Sequence, residues 1–141
     1  MATSPIVFPY KPLAGLAAPL IPVGVCIGDV WRKVDFYVDS GAFYTILGRG
    51  FAAGVDFDVS TGQRVLVQVG DGSFIPVFLH KLPLQIGSCR IEATVGFSEQ
   101  LRVPFHLLGR TDIFTRFKIC FHEKQGTVTF EPVEQPAKPL A

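Results

Sequence analysis

The chain has 141 residues, enough for one domain with a sizeable core, and a net charge of +1 from 13 basic and 12 acidic residues. Hydrophobic residues make up 48% of it and mean hydropathy is +0.36. Even so, no uninterrupted apolar run approaches the ~18 residues of a membrane-spanning helix. The longest apolar stretch, LAGLAAPLIPVGVCIG at 13–28, is broken by Pro19 and Pro22 and follows no charged region. It therefore predicts neither a signal peptide nor a membrane partner, and the expected location is cytoplasmic. The charges form no basic stripe, which argues against a nucleic-acid partner.

Cys26, Cys89 and Cys120 are odd in number and widely spaced, so they read as reduced thiols in preference to one disulfide with a spare. His80, His106 and His122 lack the spacing of metal ligands. No metal or cofactor is expected.

In chain order, residues 1–22 read as a Pro-rich N-terminal tail, loose or held only by a partner. Short runs rich in Val, Ile and Phe then predict strands at 22–29, 32–39, 43–47, 64–69, 74–79, 83–87, 89–97, 117–122 and 127–131. Turn residues separate them, at Gly70-Asp71-Gly72, Gly87-Ser88 and Glu123 to Gly126. A strand within 103–108 leads into 108–117, the only stretch that predicts a helix. Thr111 or Gly109 would cap it, and Ile113, Phe114 and Phe117 would share its buried face. Residues 48–63 carry no motif, and 132–141 form a second Pro-rich tail. The fold class is all-β, with a single domain over 23–131.

Within the second strand, alternation places Val34, Phe36 and Val38 on one face and Asp35, Tyr37 and Asp39 on the other. Asp39 ends that strand and is followed at once by Ser40 and Gly41, a small hydroxyl and a glycine suited to a tight loop. Further along, 64–80 forms a hairpin with a glycine-rich tip, and an apolar strand runs into Gly109 and Arg110.

In order and spacing these three stretches resemble the retropepsins, the single-lobe aspartic proteases of retroviral type. Asp39-Ser40-Gly41-Ala42 is similar to their catalytic loop, followed by Thr45-Ile46-Leu47. Gly70 to Ile75 resembles their flap, and Leu107-Leu108-Gly109-Arg110 resembles the motif that opens their helix. The resemblance implies a closed β-barrel with one short C-terminal helix, paired as a C2 homodimer. Peptide hydrolysis of this type uses two carboxylates that share a proton, one activating water and the other donating to the scissile carbonyl. Only one Asp-Ser-Gly is present, so Asp39 of a second copy would complete the pair.

The resemblance further implies that Ser40, Gly41, Gly109 and Arg110 support the active-site loop. Gly70, Asp71, Gly72, Ser73 and Phe74 would cover an extended peptide or protein substrate. Ala42, Ile46, Phe105 and Leu107 would line pockets for large apolar side chains. Phe43 and Tyr44 stand where viral members often carry acidic residues, which leaves Asp112 or Asp35 as the expected partner for Arg110. Two alternatives remain: a catalytically silent binding or dimerisation module on the same fold, and a β-barrel carrier of small ligands.

Overall fold

A computed structural model describes residues 4–134. The twelve strands are β1 (Ile6–Pro9), β2 (Lys11–Leu13), β3 (Leu16–Ala18), β4 (Leu20–Ile27), β5 (Val30–Val38), β6 (Thr45–Leu47), β7 (Gln63–Gln68), β8 (Phe74–Ile86), β9 (Cys89–Phe97), β10 (His106–Leu108), β11 (Phe117–His122) and β12 (Thr127–Pro132). The main sheet runs β4-β5-β10-β6-β9-β8-β7. It closes on itself because β4 also pairs with β8 at Gly24 and Val25, giving a barrel of six strands with β7 as an outer flank. Closure removes the sheet edges that would otherwise be left unpaired.

Alternation fills the barrel. Val34, Phe36 and Val38 point inward, 8%, 0% and 2% exposed, and meet Ile21, Val23, Val25, Leu84, Ile86 and Val95 in one continuous core. The motif-free segment 48–63 folds into two 3-10 turns, Ala52–Gly54 and Val59–Thr61. From it Phe51 and Phe57 pack on Phe97, at centroid separations of 6.3 and 5.8 Å. Its role is therefore core packing. Among the described residues no helix is long and apolar enough to cross a membrane, and Cys26, Cys89 and Cys120 are free.

Two expectations are corrected. The N-terminal segment is not loose: β1 pairs antiparallel with β12 from Ile6–Phe130 to Pro9–Thr127. Phe8 meets Phe130 edge-on at 5.6 Å. Pro9 is tolerated because β1 lies at the edge of the β1-β12-β11 sheet, where a missing N–H breaks no ladder. Residues 135–141 of the expected C-terminal tail lie outside the described residues.

The expected helix at 108–117 is replaced by a strand end and a series of turns. Asp112 adopts a left-handed conformation, φ 67°, which interrupts a right-handed helix. Its Oδ2 accepts the Thr94 amide at 2.8 Å. The apolar spacing still serves burial, with Ile113 0% and Phe117 2% exposed.

His106 on β10 accepts the Gly48 N–H at Nδ1, 2.9 Å, between the rings of Phe36 and Phe51. That bond requires neutral Nδ1, and burial lowers the imidazole pKa below its ordinary 6.5. A folded-state pKa below the unfolded one contributes stability that is full above 6.5 and lost as pH falls through that range. Three carboxyls are also lowered, from an ordinary 3.8. Asp58 is lowered by the Ser60 hydroxyl and amide, and Asp71 by the Ser73 hydroxyl and amide. For Asp112, burial acts upward but is outweighed by Thr94 and Lys81. Their contributions are lost only below 3.8. Melting temperature measured against pH should thus decline in two steps. His106→Gln should flatten the first step and leave the second, and an unchanged first step would assign it to another group.

Candidate active site

Asp39 is placed by the way β10 enters the sheet. The β10 strand lies between β5 and β6, parallel to the first through His106–Phe36 and Leu108–Val38 and antiparallel to the second through Leu107–Ile46. The end of β5 is therefore held on both sides: the Val38 N–H bonds Pro19 O at 2.9 Å and the Asp39 N–H bonds Leu108 O at 3.0 Å. Past that point the chain turns, with the Ala42 N–H returning to Asp39 O at 3.2 Å. The Gly41 N–H donates to Asp39 Oδ1 at 2.8 Å, which fixes the carboxylate against its own loop.

A second layer holds that loop from below. Arg110 and Thr111 donate their backbone N–H groups to Ala42 O and Phe43 O, each at 2.9 Å. The Thr111 hydroxyl donates to Phe43 O at 2.8 Å. The Gly109 N–H donates to the hydroxyl of Thr45, a residue with no exposed surface, at 3.0 Å. Residue 109 must be glycine, because a Cβ there would overlap the carbonyls of Tyr44 and Ala42.

Above the loop lies a cleft of about 740 Å³. Of the residues singled out from sequence, Asp39, Gly41, Ala42, Ile46, Gly70, Asp71, Phe105 and Leu107 meet in its lining. Ser40, Gly72, Ser73, Phe74, Gly109 and Arg110 do not line it. Ser40 is exposed, Phe74 is 59% exposed at the start of β8, and Gly109 is buried beneath the Asp39 loop. Arg110 serves the loop through its backbone. Neither expected partner reaches its side chain: Asp35 pairs with Lys11 at 2.7 Å and Asp112 with Lys81 at 3.4 Å.

The cleft floor doubles as a small second core. Ile46, Ile75, Val77 and Leu101 are buried together, with Tyr44, Val67, Val69 and Leu107 packed against them. The hairpin β7–β8 is thus seated on the same side chains that form the floor.

Several lining residues were not assigned to the site from sequence, namely Tyr37, Phe43, Tyr44, Val67, Gln68, Val69, Gln100, Leu101, Arg102 and Val103. Tyr37 was within reach, since alternation puts it on the Asp39 face, and it stacks on Phe105 at 4.7 Å. Val67 follows from the alternation of β7. Arg102 carried no signal, since its position depends on how the 98–105 loop folds. The charge on Asp71 is absorbed locally. Its Oδ1 accepts the Ser73 N–H at 2.9 Å and the Ser73 hydroxyl at 2.5 Å, and its Oδ2 pairs with Arg102 at 3.0 Å. Among the described residues no cluster of His, Cys, Asp or Glu could hold a metal ion.

The closed six-stranded barrel has a counterpart of the retropepsin-like fold among solved structures. The chain superposes on the crystal structure of a retropepsin-like aspartic protease from Rickettsia conorii with a TM-score of 0.65 and 19% sequence identity. The match covers 92% of this chain and 91% of that one. No protein-family model and no curated protein matches the sequence.

The Thr45–Gly109 contact is open to direct test. Thr45→Val keeps the shape but leaves a buried N–H without an acceptor, a loss of about 1–3 kcal/mol. The denaturant midpoint should fall with no change in m. An unchanged midpoint would mean that Gly109 finds another acceptor.

Proposed function

We propose that the protein is an aspartic endopeptidase that acts as a homodimer. Each subunit would contribute one Asp39 to a pair that holds a single proton, the ionised carboxylate taking a proton from the attacking water and the protonated carboxyl giving its own to the scissile carbonyl. The observation that carries this reading is the Asp39 loop itself. It is a carboxylate held by Gly41, in a loop bonded to the inserted strand β10, at the floor of an apolar cleft walled by a hairpin. Besides Asp39 the cleft holds one carboxylate, Asp71, and that one is committed to Ser73 and Arg102. In this reading the second carboxyl of the pair comes from another copy.

In this reading Ser40, exposed at the turn, bonds across the two-fold axis to its mate's loop. The hairpin β7–β8 acts as the flap, laying Gly70 and Asp71 along an extended peptide in the manner of an added strand. Ala42, Ile46, Leu107 and Phe105 receive large apolar side chains beside the cut. Three free thiols accord with a reducing, cytoplasmic setting.

Incubation with a diverse peptide mixture tests the proposal. Wild-type protein should cleave between large apolar residues, and pepstatin should block it. Asp39→Asn, near-isosteric but unable to act as a base, should abolish cleavage and leave the melting temperature near that of wild type. Undiminished cleavage by the Asn variant would remove Asp39 from the mechanism. No cleavage by wild type at any concentration would leave a binding module on this fold.

A further inference from the structure

We infer that Arg102 is a positioning residue of the cleft, which through Asp71 ties the tip of the β7–β8 hairpin to the 98–105 loop and so sets substrate affinity. The inference rests on the peptidase reading and adds to it a residue outside the Asp-Ser-Gly loop.

The hairpin tip is a tight turn, closed by the Val69 N–H to Ser73 O and the Gly72 N–H to Val69 O, both 2.9 Å. Gly72 takes φ +87° there. Asp71 organises the turn with one oxygen: Oδ1 receives both the amide and the hydroxyl of Ser73. Its orientation is thus settled before Arg102 arrives, and Oδ2 meets the guanidinium at 3.0 Å. Only the arginine side chain has to be ordered for the contact to form.

The loop that carries Arg102 is rooted at both ends. At one end the Ser98 hydroxyl bonds Pro76 O on β8 at 2.8 Å and accepts the Gln100 N–H at 3.2 Å. At the other, Phe105 stacks on Tyr37, two residues before Asp39. The ion pair therefore joins a hairpin tip to a loop braced on the strand that carries Asp39, and both partners line the cleft. The side chains are 71% and 50% exposed. Such pairs are weak and screened by salt, which suits a tie that must release and re-form as a peptide enters.

Two readouts on Arg102→Gln and Arg102→Lys test the tie. At low salt, Arg102→Gln should raise KM roughly two- to five-fold, the range an exposed ion pair supports, with a smaller change in kcat. It should also speed hydrogen exchange at the Val69 and Gly72 amides. Lysine, which keeps the charge and leaves Asp71 free to hold Ser73, should restore both, and high salt should bring wild type to the level of the Gln variant. Unchanged KM and exchange in Arg102→Gln at low salt would overturn the inference, as would an Arg102→Lys variant no better than Arg102→Gln in both readouts. If wild type cleaves no peptide, the peptidase reading falls and the role in substrate affinity falls with it. The exchange data then decide whether the tie itself exists.

Discussion

The insertion of β10 between β5 and β6 is the constraint on which the site depends. A strand in that slot supplies Leu108 O to the Asp39 amide, and the residues after it supply N–H donors to Thr45, Ala42 and Phe43. The loop carrying Asp39 is thereby bonded to a segment about seventy residues away, as the Gly109–Thr45 and Thr111–Phe43 separations of 64 and 68 indicate. Remove that segment and Asp39 becomes the end of an ordinary strand. The general-base role proposed for Asp39 would need it held within hydrogen-bond precision, which these long-range bonds supply and a turn supported only by local residues would not.

The same economy governs the hairpin β7–β8. Its stem continues into the barrel, since β8 runs without interruption from Phe74 to Ile86. Ile75 and Val77 are buried with Ile46 and Leu101 below the cleft. Only the tip projects beyond this apolar seat, and there the contacts change from burial to hydrogen bonds and one ion pair. Burial is non-directional and steady, whereas exposed charge pairing is weak and salt-sensitive. The stem is thus set firmly and the tip lightly, the division the proposed flap would require.

Much of this was legible in the sequence, for reasons that can be located. Val34-Asp35-Phe36-Tyr37-Val38-Asp39 shows its period of two openly, and its inward and outward faces followed directly. Asp-Ser-Gly, the glycine-rich hairpin tip and Leu-Leu-Gly-Arg are local motifs, so their residues could be named before any contact was known. What was hidden is long-range. The pairing of β1 with β12 joins the two ends of the described chain, and nothing in Ile6 to Pro9 announces Phe130 as a partner. Asp112 sits in a stretch with helical apolar spacing, and only its bond to Thr94 reveals why the backbone turns left-handed there. Residues 74–79 and 83–87, expected as two strands, form the single strand β8, with Pro83 inside it. Along 80–83 β8 is paired on one side only, since β7 ends opposite Leu79 and β4 begins opposite Leu84, and a proline is tolerated at such a position.

The proposed chemistry requires two carboxylates, while the fold presents one loop of the required kind per chain. Mixing wild-type subunits with Asp39→Asn subunits, at fixed total concentration and after exchange, tests this account most directly. If both Asp39 residues serve one site, only dimers with two wild-type subunits turn over substrate, and activity falls with the square of the wild-type fraction. Activity that falls in simple proportion to the wild-type fraction would contradict the shared site and assign catalysis to each subunit alone.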